Sequence, residues 1–261
     1  MQLRQPRTVR VIRYVTPLRE GGSLPAIVEA DDDGLYVLKF RGAGQGPRML
    51  IAELVAGELA RGAGLPVPEI VFAELDPELA RTEPDPEIHA LILDSAGLNL
   101  ALDYLPGSIT YDPVVQRLDP DLVSRIVWFD AFVSNVDRTA KNTNMLLWHR
   151  KLWLIDHGAS LYFHHGSDWD AGRAQPLDPF PHIKNHVLVR YADMLREVDD
   201  GMAGSLTQEA VQTIVGWIPE SWLTARGAVR TADEQRADYV AYFTARLAAR
   251  SAFVEEAMRA R

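Results

Sequence analysis

The spacing of apolar residues changes along this chain of 261 residues, from a period of two to the period of a helix. The early stretches predict strands at 9–16, 24–30 and 35–41. Asp31 to Gly34 has the composition of a hairpin turn between the last two. From Met49 to Ala63 the apolar residues recur at helical spacing, and Gly64 follows as a stop signal. We therefore expect an antiparallel sheet, interrupted by one helix, at the start of the fold.

The remainder of the chain changes from strands to helices. Further strands are predicted at 69–74, 87–94 and 98–104. Asp119 as N-cap and Pro120 as first helical residue predict a helix that runs to Phe132. Apolar segments predict a small hairpin at 144–148 and 151–155. Beyond residue 183 the pattern is mostly helical, and the final helix covers about 232–259, with its arginines on a solvated face.

These elements predict an α+β fold in two lobes. The β-rich lobe is expected to cover residues 1–105, and the mainly helical lobe residues 106–261. A cleft between two such lobes is a common place for a ligand.

Composition narrows the classes of function. There are 27 Lys and Arg against 36 Asp and Glu, a net charge of −9, which disfavours broad attraction to nucleic acid or anionic lipid. The absence of cysteine excludes thiol chemistry and thiolate zinc sites. No apolar run is long enough to span a bilayer, and the start lacks the apolar core of a signal peptide. We therefore expect no direct nucleic acid binding, no membrane insertion and a cytoplasmic location.

The densest group of polar side chains follows the helix that ends at Phe132. Asp137 is followed five positions later by Asn142, and a carboxylate and an amide at this spacing can be aimed at one point. The hairpin then ends in Asp156-His157-Gly158, where an apolar strand delivers a carboxylate that is suited to Mg²⁺. Phosphoryl transfer needs this combination. Asn144 is an alternative to Asn142, which the offset of five favours.

These residues resemble the motifs of HipA-like kinases, a family within the protein-kinase-like superfamily. They are more distantly similar to the motifs of phosphatidylinositol-kinase-like enzymes. The family loop reads Asn-x-Asp-Arg-His-x-x-Asn, and this chain has Asn135-Val136-Asp137-Arg138-Thr139-Ala140-Lys141-Asn142, with Thr139 in place of the histidine. The family's Asp-Phe-Gly-like tripeptide is Asp156-His157-Gly158 here. The resemblance implies that Asp137 is the catalytic base, that Arg138 is a structural or charge-stabilising partner, and that Asn142 and Asp156 bind Mg²⁺.

The same resemblance implies a lysine on a strand and a glutamate on the following helix. Lys39 lies in an apolar strand and is similar to the family's nucleotide-binding lysine. For the glutamate, helical periodicity alone favours Glu58, which falls within the apolar stripe of the helix. The resemblance aligns Glu53 instead, and we predict Glu53 as the partner of Lys39.

Two further segments are predicted to contact the nucleotide. Gly21, Gly22 and Ser23 could bring backbone N–H groups close to phosphates, because glycine tolerates positive φ. Tyr104 and Leu105 lie where a kinase-like hinge would present backbone amides to adenine. Because some family members are modified in this loop, the resemblance also implies Ser23 as a site of self-phosphorylation.

The sequence therefore predicts a HipA-like phosphotransferase that uses ATP and Mg²⁺ and phosphorylates a serine or threonine hydroxyl of a protein. Two alternatives stay open: a kinase for a small molecule or lipid headgroup, and a non-catalytic kinase-like module, since Thr139 and His157 alter the motifs. The chain looks shorter than a toxin-type HipA kinase, so a DNA-binding antitoxin partner is not implied. Adjacent His164 and His165 are expected to point in different directions and to form no zinc site.

Overall fold

In the computed structural model, the first five strands close into a barrel. The structure describes residues 3–18, 24–44, 46–170, 175–224 and 230–261. For Asp168 and Asp170 it describes only the backbone. The strands are β1 (Thr8–Pro17), β2 (Ala26–Ala30), β3 (Leu35–Lys39), β4 (Ile70–Leu75) and β5 (Gly97–Asp103). Their order around the barrel is β1-β2-β3-β5-β4. All neighbours are antiparallel except β1 and β4, which are parallel and close the barrel. The sequence predicted the strands but not the closure.

Helix α1 (Pro47–Gly62) crosses from β3 to β4 and is buried on every face between Leu50 and Ala60. A short 3₁₀-helix (Pro77–Thr82) and helix α2 (Pro86–Asp94) then precede β5. The strand predicted at 87–94 is wrong, because this segment is α2. Asp85 caps the helix by accepting a hydrogen bond from Glu87 N at 2.9 Å, and Ile88 and Ile92, four residues apart, are its buried positions.

The rest of the described chain is mainly helical and contains one small sheet. The sheet has the order β6 (Ile109–Thr110), β7 (Met145–Trp148) and β8 (Lys151–Leu154), and the predicted turn at His149 and Arg150 has positive φ at both residues. The helices are α3 (Pro120–Phe132), α4 (Ser167–Asp170), α5 (Leu195–Ser205), α6 (Gln208–Gly216), α7 (Glu220–Leu223), α8 (Ala232–Ala248) and α9 (Ser251–Arg259). Short 3₁₀-helices lie at Tyr162–His165, Pro181–Asn185 and Val189–Tyr191.

The C-terminal segment differs from its prediction in two ways. The expected single helix is two helices, α8 and α9, with a break at Ala249 and Arg250. Arg246 does not lie on a solvated face but is fully buried, where its guanidinium donates to the carbonyl oxygens of Phe132 (2.6 Å) and Ala131 (2.7 Å). These carbonyls are at the end of α3, so Arg246 satisfies acceptors that the end of a helix leaves unpaired.

The described residues form two hydrophobic cores. The smaller core fills the barrel, with Val9, Val28 and Leu38 among its members. The larger core runs from α1 and the outer faces of β4 and β5 to α3 and the later helices. It therefore crosses the boundary that we predicted after residue 105, and burial of apolar surface joins the β-rich and helical parts. Within the described residues, no helix is long and apolar enough to cross a membrane.

Candidate active site

A buried lysine at the end of β3 meets two carboxylates. Lys39 is 7% exposed, and its Nζ lies 2.7 Å from Asp156 Oδ1 and 3.6 Å from Glu53 Oε2. Asp156 comes from the loop after β8, and Glu53 from the middle of α1. Three segments that are distant in sequence thus place one cation between two anions. The side chain of Asp156 keeps 38% of its surface exposed, so the group opens to solvent on that side.

The charges in this group stabilise one another against burial. Burial alone would lower the pKa of Lys39, but the carboxylates of Asp156 and Glu53 outweigh it and raise the pKa. Burial would likewise raise the pKa of Glu53, but the Lys39 charge and hydrogen bonds from His157 lower it to about 2. Lys39 and Glu53 are therefore an ion pair at neutral pH.

The structure brings Glu53, and not Glu58, to Lys39. Glu58 lies 3.6 Å from Arg61 and is 6% exposed. Burial raises the pKa of Glu58 to about 7, only partly offset by Arg61. The periodicity argument favoured Glu58 because it assumed a helix with one apolar stripe. Since α1 is buried all around, the apolar stripe does not indicate which glutamate faces the lysine.

The loop after α3 holds Asp137 between two asparagine amides. Asn142 Nδ2 donates to Asp137 Oδ2 at 2.7 Å, and Asn144 Nδ2 donates to the same oxygen at 3.0 Å. Both amides thus donate to Oδ2, and the other oxygen, Oδ1, has no hydrogen-bond partner among the described residues. The structure therefore places both alternatives, Asn142 and Asn144, beside Asp137. Asn142 is exposed, whereas Asn144 is 7% exposed.

Arg138 does not face solvent but is 1% exposed and holds this loop from beneath. Its Nε donates to Asp130 Oδ2 at 2.6 Å, and its Nη1 donates to the carbonyl oxygen of Asn144. Asp130 also accepts hydrogen bonds from Asn135 Nδ2 at 3.0 Å and His186 Nε2 at 2.9 Å. Burial would raise the pKa of Asp130, but Arg138 and His186 lower it. The carboxylate is thus charged and fully hydrogen-bonded inside the core.

Sequence reasoning missed both Asp130 and His186. For Asp130 there was a signal, because a carboxylate in the apolar stretch Ile126 to Phe132 of α3 must have a buried partner. For His186 there was none. Its segment reaches the loop through an isolated β-bridge to Thr139 and a hydrogen bond from Val187 N to Arg138 O at 3.0 Å, which are contacts of tertiary structure.

His157, the middle residue of the tripeptide, connects the two groups. Its backbone N–H donates to Glu53 Oε1 at 3.1 Å, and its ring Nε2 lies 3.3 Å from Arg138 Nη2. The ring is fully buried.

Left-handed backbone conformations cluster in the same place. Ser134, Asn144 and Asp156 have φ of 55°, 48° and 54°, which costs energy in any residue but glycine. These residues begin the loop, end it and carry the carboxylate next to Lys39. Such strain persists only where the surrounding contacts hold it, and it is typical of functional sites.

The other residues that were predicted to contact the nucleotide lie in two segments, of which the structure describes only one. Gly21, Gly22 and Ser23 lie outside the described residues. Tyr104 directly follows β5, but its backbone N–H donates to Leu35 O at 3.0 Å and is therefore used within the barrel. Leu105 is buried, and its carbonyl oxygen accepts from Ser108 N at 3.2 Å.

The oxygen atoms of the site can be compared with the ligands that a divalent cation prefers. Among the described residues, no group of three or more His, Cys, Asp or Glu side chains could hold a metal ion. Mg²⁺ does not need such a group, because it is usually bound by one or two carboxylates, water and substrate phosphates. The partly exposed carboxylate of Asp156 and the amide oxygens of Asn142 or Asn144 are oxygen donors of this kind, so the donor types present fit a divalent cation that is bound together with a polyphosphate.

The paired histidines differ from their prediction. His164 Nε2 and His165 Nε2 converge to 3.2 Å instead of pointing apart. His164 is fully buried, which lowers its pKa, and its Nδ1 contacts Tyr239 OH at 2.9 Å. The pair is thus a hydrogen-bonded element of the core.

Comparison with known proteins agrees with this fold. The family model described as HipA-like kinase matches residues 11–250. A Helicobacter pylori proinflammatory kinase, CtkA, has a similar structure, with 12% identity and a TM-score of 0.52, covering 97% of this chain and 98% of that one. The Golgi casein kinase with Mn/ADP bound is 12% identical, with a TM-score of 0.50, covering 97% of this chain and 74% of that one. A search of curated proteins finds no significant match.

These two neighbours have protein-kinase-like folds with mixed helix and strand content, and the sequence match spans most of the chain. The chain belongs to the HipA-like kinase family.

Proposed function

We propose that this protein is a phosphotransferase that uses ATP and a divalent cation, Mg²⁺, to phosphorylate a serine or threonine hydroxyl of a protein. The observation that carries the proposal is the convergence of Lys39, Glu53 and Asp156, which come from β3, α1 and the loop after β8. Nothing in the packing of a barrel requires a buried lysine between two carboxylates, whereas kinase-like phosphoryl transfer uses a lysine that is oriented by a helix glutamate and lies beside a metal-binding aspartate.

In this proposal, residues 1–105 are the nucleotide-binding lobe and residues 106–261 the catalytic lobe. Lys39 binds the α- and β-phosphates of ATP, and Glu53 keeps its ammonium group oriented. Asp156 and Asn142 hold Mg²⁺, which would neutralise charge on the phosphates. An adenine contact at Tyr104 and Leu105 would have to use other backbone groups of this segment, because the Tyr104 N–H and the Leu105 carbonyl oxygen already have partners. Gly21, Gly22 and Ser23 cover the phosphates, which stays a prediction from sequence.

Asp137 acts on the acceptor. Because Asn142 and Asn144 both donate to Oδ2, Oδ1 is the oxygen that can take a proton. The acceptor oxygen forms a bond to the γ-phosphorus while the bond from that phosphorus to the β,γ-bridging oxygen breaks. ADP leaves with the electron pair, and the hydroxyl proton passes to Asp137. Most of the rate comes from positioning and from charge stabilisation, because phosphoryl transfer requires little covalent chemistry from the protein.

A protein acceptor is the preferred substrate class because one structural neighbour is named a casein kinase. That name describes the neighbour, and its fold is what this chain shares. A small-molecule or lipid-headgroup acceptor and a non-catalytic role are therefore outcomes of the test.

The test is ATP turnover with Mg²⁺, using wild type, Asp137→Ala and the control Asp94→Ala, which removes an exposed carboxylate at the end of α2. We expect Asp137→Ala to lower turnover about 10²- to 10⁴-fold and the control to keep it. Mass spectrometry of protein acceptors and of the chain itself should find phosphoserine or phosphothreonine. Turnover without any phosphorylated protein would favour a small-molecule acceptor. Equal turnover in wild type and Asp137→Ala would refute the assignment of Asp137, and no turnover with intact ATP binding would indicate a non-catalytic module.

A further inference from the structure

We propose that His157 is a positioning residue that couples the ion pair of Lys39 and Glu53 to the loop that carries Asp137. The inference deepens the proposed function, on which it rests. Its basis is a continuous series of polar contacts through the core, of which His157 is the middle member.

The first link joins His157 to α1. Its backbone N–H donates to Glu53 Oε1 at 3.1 Å, and its ring Nδ1 lies 3.7 Å from the same oxygen. The helix approaches closely here because Gly57, one turn after Glu53, has no side chain. A Cβ on Gly57 would lie 4.0 Å from His157 Nδ1 and 2.5 Å from Ile70 Cδ1. The ring is thus packed against the face of α1 that carries Glu53.

The second link joins His157 to Arg138. A guanidinium group has only donors, so the contact of 3.3 Å between Arg138 Nη2 and His157 Nε2 requires Nε2 to accept. The ring proton is then on Nδ1, directed to the side of Glu53. This tautomer is assigned from the two partners. The His157 ring therefore accepts from a cation on one side, while its Nδ1 lies 3.7 Å from Glu53 Oε1 without a hydrogen bond to it, so that the backbone N–H makes the hydrogen bond to the anion.

The third link joins Arg138 to Asp137. Arg138 Nη1 donates to the carbonyl oxygen of Asn144, which also accepts from Ile155 N at 3.0 Å. The side chain of Asn144 in turn donates to Asp137 Oδ2 at 3.0 Å. A displacement of α1 that moves Glu53 is thus transmitted through His157 and Arg138 to Asp137. Phenylalanine at residue 157 would fill the same space but could not make either ring contact.

The first experiment measures this coupling in the free protein, without nucleotide, by hydrogen exchange. The amides of Ile155 and Val187 are the reporters, because they donate to the carbonyl oxygens of Asn144 and Arg138. The proteins are wild type, Glu53→Gln, His157→Phe and the double variant. The matched control is His164→Phe, which removes another fully buried histidine that lies outside this series.

We expect His157→Phe and Glu53→Gln each to speed exchange of both amides about 10- to 100-fold, because the first change removes the acceptor of the Arg138 guanidinium and the second removes the negative charge that accepts from the His157 N–H. In the double variant, both amides should exchange about as fast as in the faster of the two single variants, because the contacts act in series. His164→Phe should leave both amides as in wild type. Exchange in His157→Phe equal to wild type, or effects that multiply in the double variant, would overturn the coupling.

Kinetics give a second readout. We expect His157→Phe to lower kcat about 10- to 100-fold and change the KM for ATP less than threefold, and His157→Gln, which keeps an acceptor for Arg138, to recover part of kcat. If His157→Phe does not fold, His157→Gln takes its place in both experiments, with a smaller effect in the same direction. A wild-type chain without turnover would remove the proposed function and leave the hydrogen-exchange result to decide the coupling. Normal kcat in an active His157→Phe would overturn the coupling alone.

Discussion

Replacing Asp130 by asparagine tests the buried network beneath the catalytic loop. Asp130 is fully buried and accepts from Arg138, Asn135 and His186. An asparagine has the same shape, but its Nδ2 is a donor, so at least one of these donors would face another donor. The charge of Arg138, which is 1% exposed, would also lose its anionic partner. Breaking a buried ion pair from one side costs roughly 3–5 kcal/mol.

Each kcal/mol shifts the midpoint of thermal unfolding by about 2–4 °C in a domain of this size, so Asp130→Asn should unfold about 6–20 °C below wild type. The measurement is thermal or urea unfolding at pH 7. The control is Glu78→Gln, which breaks the exposed pair with Arg81 and should change stability by less than about 1 kcal/mol. If Asp130→Asn loses no more stability than Glu78→Gln, the network does not hold the loop as we describe.

Two further predictions concern the faces of α1. Because burial raises the pKa of Glu58 to about 7, the folded protein takes up a proton that the unfolded chain lacks between about pH 4.5 and 7, and stability falls as pH rises through this window. Relative to wild type, Glu58→Gln should gain roughly 1–3 kcal/mol more free energy of unfolding at pH 8 than at pH 5, as measured with urea. Equal gains at the two pH values would contradict the raised pKa. Gly57→Ala places a Cβ 2.5 Å from Ile70 Cδ1 and should lose up to about 2 kcal/mol, whereas Gly201→Ala in α5, with open space around it, should gain up to about 1 kcal/mol. The same sign for both glycines would contradict the packing at α1.

The sequence allowed most of the elements to be predicted, because strands and long helices leave a clear periodicity. Prediction from sequence failed where the pattern of residues is compatible with more than one structure. The segment 87–94 is apolar enough for a strand, and only the cap at Asp85 and the spacing of Ile88 and Ile92 indicate a helix. The parallel pairing of β1 with β4 depends on contacts distant in sequence, which leave no local pattern.

The candidate site likewise contains residues that could be predicted from the sequence and residues that could not. Lys39 and Asp156 could be predicted because a charged residue within or directly after an apolar segment is conspicuous, and Asp137 because it lies in the densest polar segment of the chain, five residues before Asn142. The network beneath them could not, since His186 and Arg138 meet only through tertiary structure. Arg246 shows the same limit, because an arginine on a polar helix can equally be solvated or buried against carbonyl oxygens. Its burial depends on the end of α3, more than a hundred residues away in the chain.

The most direct test of the central claim is calorimetric titration of ATP into wild type and Asp156→Asn, each with Mg²⁺ and with a chelator. The account predicts that wild type binds ATP at one site and loses at least about tenfold in affinity when the metal is removed. With Mg²⁺ present, Asp156→Asn should bind ATP more weakly than wild type and show a smaller dependence on Mg²⁺, because the carboxylate beside Lys39 is gone and Asn142 is the remaining protein ligand. Absence of ATP binding in wild type, or an unchanged dependence on Mg²⁺ in Asp156→Asn, would contradict the account.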